Sequence, residues 1–364
     1  LSLNLNTAAI DGKALLVPTY KVQEDLLYKE RSQSKFSISA EDMGLLKRYM
    51  QYVDDDRVFF AINNIPPRQI AAMRASILDN HIMFRTDNQR SYHSVPVLVR
   101  QLSSYFNLHN RSFSGFKLLE DEINHYKHIK VSIDHIENIS RYIQKIVNSS
   151  NKINEFADLF NKNQITEDMF NSIKELARNS ETYSVDYATL VIKNIANHYY
   201  VPLLLSDSER IDYIRTVIHV ESEKKFLEKL DVYIRKPDNQ LKAFDWWLFS
   251  RLDEKMDEIV IPYYYPHENR FANFNPDFIF WMQRGDRYQI LFVDPKGTGR
   301  TEYEHKVDGY KALFEENGVP KIFKYQGMDV SVHVSLFTDD SSYLAEGYRK
   351  YWFDSIESMV NSIM

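Results

Sequence analysis

No cysteine occurs in the 364 residues of the chain. Disulfides, thiolate zinc sites and cysteine nucleophiles are therefore excluded together. Glycine is scarce at 10 residues, and none lies between Gly115 and Gly285. No apolar run approaches the ~20 residues that a membrane-spanning helix needs, so no membrane partner is expected and the expected location is the cytoplasm. An excess of positive charge is also missing: the formal net charge is -6. A protein that holds DNA by neutralising phosphates usually carries a basic surface. A nucleic-acid function would therefore have to rest on local features, and even between Arg284 and Lys324 basic residues barely outnumber acidic ones. There is no G-x-x-x-x-G-K-[ST] phosphate loop and no Asp-Glu-x-His motor segment, so the chain alone should not hydrolyse ATP. No Ser-His-Asp arrangement, dinucleotide fingerprint, internal repeat or low-complexity tract is present.

What remains is an ordinary globular composition, 44% hydrophobic and 26% charged, with aromatic residues at 14%. The pattern divides into three. Residues 1–95 read as a mixed α/β connector. In it Ala14 to Pro18 is a short strand closed by a turn, and Glu41 to Tyr52 and Arg68 to Leu78 are helices around the Pro66-Pro67 break. Residues 96–236 read as a largely helical module. Ile133, Ile136, Ile139, Ile143 and Ile146 keep an i+3/i+4 rhythm, and Ser206 with Glu209 fits a capping box before Ile211, Ile214 and Ile218. Lys236-Pro237-Asp238-Asn239 marks a boundary. Beyond it, 237–364 reads as an α/β sandwich: a helix over Phe244 to Asp257, strands at 259–261, 277–282 and 288–293, a helix over Thr301 to Asn317, a strand over Val330 to Phe337, and a last helix over Tyr348 to Ile363. The capping box Thr301/Glu304 should open the second of those helices and Gly318 should close it.

Chemistry concentrates in the stretch Phe274 to Gly297. It holds two turn-like pieces, Asn275-Pro276-Asp277 and Asp294-Pro295-Lys296-Gly297. Each suits a type I turn taken singly. If the two strands pair antiparallel, however, Asp277 at the start of one lies beside Asp294 at the end of the next. Lys296, two residues on, projects from the same side as Asp294 if the chain stays extended. Two carboxylates ~4 Å apart repel by ~4 kcal/mol at an effective dielectric of ~20, and a cation between them relieves this. Carboxylate oxygens plus a backbone carbonyl suit Mg²⁺, for which Mn²⁺ can substitute. The expected site is that of a phosphodiesterase. Asp277 and Asp294 hold the metal, the Pro295 carbonyl completes its shell, and Lys296 supports the nucleophilic water. A third carboxylate is expected from the helix before these strands. Glu254 is the candidate, with Asp253, Asp257 and Glu258 as rivals. Weaker possibilities are a cation at Asp54-Asp55-Asp56, a metal at His125 and His128, and a phosphate contact at His305. Solvated surface residues account better for the first two and equally well for the third.

The strings "FNPDFIFW", "ILFVDPKG" and "EHKVDGYKALF" resemble the PD-(D/E)xK nuclease superfamily. More narrowly they are similar to the C-terminal endonuclease region of type III restriction enzyme subunits, as are "WWLFSRLDE" and "IVIPYYYP". The similarity is best over about residues 232 to 340. It is thinner over 15 to 100, where "LLVPTYK" and "RYMQYVDDDRV" resemble the link leaving a helicase motor. The resemblance implies a restriction-endonuclease-like α/β sandwich with a mixed central sheet behind the helical module, and Mg²⁺-dependent cleavage of double-stranded DNA in a type III-like restriction or phage-defence system. It places Asp277 at the Asp of the PD motif and Asp294 and Lys296 at the (D/E)xK positions. Glu254 takes the helix acid, and Lys306 and Tyr310 become DNA contacts on the following helix. It also implies an ATP-dependent helicase motor in cis or in trans, and a methyltransferase or specificity subunit. The competing reading is a non-catalytic DNA- or protein-binding module with an idle nuclease fold.

Overall fold

The structure is a computed structural model that describes residues 1–8, 10, 12–23, 44, 48, 110–176, 179–208, 211–265, 270–295, 303–338 and 345–364. The chain forms two compact units. One is Leu1–Pro18, Phe116–Ile261 and Asn275–Met364; the other is Thr19–Gly115 and Pro262–Phe274. The boundary expected at 236/237 lies inside the first unit. In chain order the main elements are strands β1 (Leu16–Gln23) and β2 (Asn110–Leu118), helices α1 (Ile133–Asn161) and α2 (Glu167–Leu176), strands β3 (Ser180–Val185), β4 (Ala188–Lys193) and β5 (Leu203–Ser206), and helix α3 (Glu221–Ile234). There follow β6 (Trp246–Arg251), β7 (Ile261–Tyr265), β8 (Arg270–Phe274), β9 (Phe278–Arg284), β10 (Arg287–Pro295), α4 (Tyr303–Phe314), β11 (Phe323–Tyr325), β12 (Met328–Phe337), β13 (Trp352–Phe353) and α5 (Ile356–Asn361). Among the described residues, no helix is long and apolar enough to cross a membrane. Strands β1 and β2 pair with each other, as do β7 and β8.

The organising element of the first unit is a mixed six-stranded sheet near the C-terminus, in the order β6-β9-β10-β12-β11, with β13 pairing β12. The pairs β6/β9, β9/β10 and β12/β11 are antiparallel, and β10/β12 is parallel. Its central strands are apolar along their length because helices cover both faces. Phe226 of α3 packs its ring 4.9 Å from Phe278 and 5.2 Å from Phe337 on one face. Phe314 of α4 meets Phe323, the cross-strand neighbour of Val330, on the other. The first residues of the chain also join this sheet. Trp281 Nε1 donates to Leu16 O at 2.8 Å, Tyr288 Oη donates to Ala14 O at 2.6 Å, and the Leu16 N–H donates to Tyr288 Oη at 3.1 Å.

Several expectations are corrected. The segment Phe244 to Asp257 is not a helix: it is β6 followed by a turn. Trp246 to Phe249 form a continuous apolar run, and such a run suits a strand buried on both faces as well as a helix. The middle region is not helical throughout, since β3, β4 and β5 form a three-stranded antiparallel sheet. Its first strand shows strict alternation of exposure, the period-2 signature of a half-buried strand. Ser206 ends β5 rather than capping a helix, and Ile211 to Ile218 are not helical. Pro18 lies within β1 instead of closing it. Helix α4 stops at Phe314, not Asn317. Glu315–Glu316 pair antiparallel with Val319–Pro320 across Asn317-Gly318, both at positive φ (52° and 78°). Asn-Gly is the residue pair that a tight hairpin turn demands. The last helix is cut to α5, whose N-cap Ser355 accepts from the Ser358 N–H at 3.2 Å; the residues before it form a 3-10 turn and β13. Of the expected helix at Glu41 to Tyr52, only Gly44 and Arg48 are described, and both are helical. The expected helix at Arg68 to Leu78, Asp54-Asp55-Asp56, Thr301 and Lys296 lie outside the described residues.

Candidate functional site

The β9/β10 ladder ends with Phe278 facing Val293. Continued by one residue, this register sets Asp277 opposite Asp294, the juxtaposition expected from the sequence. Asp294 is the penultimate residue of β10 and is buried to 1% exposure, while Asp277 is half-buried at the bend that opens β9. On the far side of Asp277 runs the end of β6: the Leu252 N–H donates to Asp277 O at 2.8 Å. Pro295 is buried beside Asp294. Two carboxylates at the same end of the sheet would suit Mg²⁺, which is held by one or two carboxylates and keeps several waters. Among the described residues, no group of three or more His, Asp or Glu side chains is gathered closely enough to enclose a metal.

Glu254 is not part of this arrangement. It sits exposed on the turn after β6, and what reaches the Asn275-Pro276-Asp277 stretch is its carbonyl, which accepts from Asn275 Nδ2 at 2.9 Å. The carboxylate that a helix does bring to this end of the sheet is Glu223, in the first turn of α3 and buried at 6% exposure. Burial pushes its carboxyl above the ordinary range, opposed by the Arg251 guanidinium and reinforced by the negative charge of Asp294. Arg251 ends β6 and is itself buried. Its Nε lies 3.5 Å from Glu223 Oε2 and its Nη1 lies 3.4 Å from Asp253 Oδ2. Burial would lower the Arg251 pKa, but Glu223, Tyr200, Asp253 and Asp277 together raise it. The expected order helix, three strands, helix, strand does not hold: five strands, β6 to β10, lie between α3 and α4, and β11 precedes β12. The signal in the sequence was the amphipathic run Glu221 to Ile234, which carries Glu223 at its start.

A buried polar clamp holds the turn after β6. Asp257 accepts from the backbone N–H groups of Asn124 (2.8 Å), His125 (3.1 Å) and Asp253 (2.8 Å), and from His125 Nδ1 at 2.6 Å. His125 Nε2 meets the Tyr200 hydroxyl at 2.8 Å. His198, whose pKa burial lowers to about 3, is neutral and accepts the Arg251 N–H at 3.1 Å. His125 is thus neither a metal ligand with His128 nor a solvated helix residue; it is a satisfied core histidine on a 3-10 turn. Burial alone would raise the Asp257 carboxyl, but hydrogen bonds from His125 and the backbone outweigh it and hold the pKa below the ordinary value. A carboxyl depressed in the folded state contributes stability that is present above its unfolded pKa and is lost as pH falls through the folded one. Asp257→Ala should cost about 3 kcal/mol at pH 7, since it strands four donors, two of them buried. Urea denaturation of the two proteins checks this, and the gap between them should narrow below the ordinary carboxylate range.

Of the expected DNA contacts, Tyr310 is corrected. It is 1% exposed and its hydroxyl donates to Val332 O at 2.9 Å, so it is core packing between α4 and the sheet and no nucleic acid can reach it. Lys306 and His305 are half-buried on α4.

Residues 216–332 match the YagJ family. That span contains α3, β6, β9, β10 and α4 whole, and with them Glu223, Arg251, Asp277 and Asp294. No curated protein and no solved structure matches the chain.

Proposed function

We propose that the first unit carries a Mg²⁺-dependent DNA endonuclease with a restriction-endonuclease-like core, working in a type III-like restriction or phage-defence system. The observation that supports this reading most is that the antiparallel β9/β10 ladder ends at Phe278 and Val293, so that Asp277 and Asp294 are the next residues at the same end of a mixed sheet. In this reading Asp277, Asp294 and the Pro295 carbonyl hold Mg²⁺, and the metal would lower the pKa of a bound water and offset charge on the phosphate. Lys296, two residues beyond Asp294, supports that water, and Glu223 on α3 takes the place expected for Glu254. Lys306 remains the α4 residue assigned to the DNA. An ATP-dependent motor, and a methyltransferase or specificity subunit, are the partners such a system requires. The proposed location is the cytoplasm.

Nicking of a supercoiled plasmid with Mg²⁺ or Mn²⁺, beside EDTA, tests the reading. Conversion to open circles with either metal and none in EDTA is the expected result. No nicking together with no Mn²⁺ binding by calorimetry would overturn it and favour an idle fold that binds DNA or protein.

A further inference from the structure

The C-terminal sheet has a second polar end, at the hairpin that joins β9 to β10. Its last cross-strand pair is Arg284 opposite Arg287, both exposed. Like charges set directly opposite on neighbouring strands repel and weaken a sheet. Among the described residues no ion pair relieves either guanidinium. Two nearby acids are engaged elsewhere: Asp245 accepts from the Gly285 N–H at 2.7 Å, and Asp329, the register partner of Arg287 on β12, pairs with Lys324. The third, Asp286, stands exposed on the turn itself. Alternate residues of a strand share a face. Arg284 therefore lies on the side of Phe278 and Phe280, against which Phe226 of α3 packs. Near the hairpin the end of the chain borders that face, and Gln289 Nε2 donates to Ile363 O.

Two adjoining cavities open there, of about 320 and 340 Å³. The first is lined by Arg284 and Arg287, the second by Ser331, His333 and Ile322, and Arg287 with Met364 borders both. The two halves differ in chemistry. The arginine half offers two forked cations, whose planar donors match phosphate oxygens. The other half has a neutral floor. Burial lowers the His333 pKa to about 4, so its ring is uncharged at pH 7, and Ser331 Oγ meets its Nε2 at 2.8 Å. A hydroxyl beside a neutral imidazole can both donate and accept, as the polar edge of a base requires. Val319, Ile322 and Met364 stand exposed at the rim. Exposed apolar side chains gathered at a cavity with a few convergent polar groups mark a ligand site. We propose that this groove binds a nucleoside monophosphate, with its phosphate between Arg284 and Arg287 and its base against Ile322, the polar edge turned to Ser331 and His333. The site is independent of the proposed metal site, which lies at the other end of the same strands.

The test is calorimetric titration of the full chain with AMP, GMP, CMP and UMP, beside the four nucleosides and inorganic phosphate, all without divalent metal. At least one nucleotide should bind, and about tenfold or more tightly than its own nucleoside or inorganic phosphate, because each half of the groove adds its own contacts. Arg284→Gln and Arg287→Gln should each weaken that nucleotide about tenfold, the scale of one charge-assisted contact. Both side chains are exposed, so these variants should fold, and an unchanged urea midpoint checks that they do. Ile322→Asp, at the base end, should weaken the nucleotide while leaving inorganic phosphate as it was. No nucleotide binding by wild type overturns the proposal. So does inorganic phosphate binding as tightly as every nucleotide, or nucleotide binding that survives both arginine substitutions. Any of these results leaves the nuclease reading standing, since no metal enters the titration.

Discussion

Asp294→Asn should leave the protein folded and reduce plasmid nicking by roughly 1000-fold, the scale on which single preorganised charges act in catalysis. Asparagine keeps the shape of the buried carboxylate at the end of β10, so the urea transition should stay within about 1 kcal/mol of wild type. What it removes is the charge facing Asp277, and with it the anionic pair that makes the position attractive to Mg²⁺. Calorimetry should therefore show Mn²⁺ binding lost together with the nicking. Glu254→Ala is the matched control. Its carboxylate stands exposed on the turn after β6, and its substitution should change the rate by no more than about twofold, as surface changes away from a site generally do. If the two variants behaved alike, the register at the β9/β10 end would not be the source of the activity.

Phe226→Ala should destabilise the protein by about 3–5 kcal/mol, the range for removing a fully buried aromatic ring. Phe226 is 0% exposed and packs against Phe278, Phe280 and Phe337 at ring separations of 4.9, 6.3 and 5.2 Å. These rings come from two strands, β9 and β12, so the cavity cannot collapse by moving one side chain. Urea denaturation reads the loss as a lower midpoint with an unchanged slope. The same ring fixes how α3 lies on the sheet, and Glu223 is three residues before it, less than one turn away. A loss below about 1 kcal/mol would show that α3 is not seated on this face as described.

How far the sequence anticipates this architecture differs by element. Strands β9, β10 and β12 were visible because their β-branched and aromatic runs are bounded by turn residues, and the juxtaposition of Asp277 and Asp294 followed from pairing the first two. Strand β6 was misread because a continuous apolar run carries no periodicity: Trp246 to Phe249 satisfy a buried helix and a buried strand alike. That single misreading put the expected helix acid on Glu254, which lies on a turn. Tyr310 was misplaced for a different reason. Spacing puts it one turn from Lys306, but it does not say which side of a helix meets the sheet, and the buried side includes Val307, Tyr310 and Phe314. The sheet of β3, β4 and β5 was hidden because no glycine marks its turns. The turn between β3 and β4 uses Asp186 at φ 52° instead.

The bonds that Ala14 and Leu16 make with Trp281 and Tyr288 join residues 265 to 274 positions apart. On a ribosome adding about 5–20 residues per second, the first strand emerges tens of seconds before the sheet that receives it. During that interval Leu15, Leu16 and Val17, all buried in the finished protein, have no native partner in the C-terminal sheet. Contacts of such long sequence separation are slow to close. The nascent chain therefore carries an apolar segment that must be kept from pairing elsewhere until the strands bearing Asp277 and Asp294 have been made.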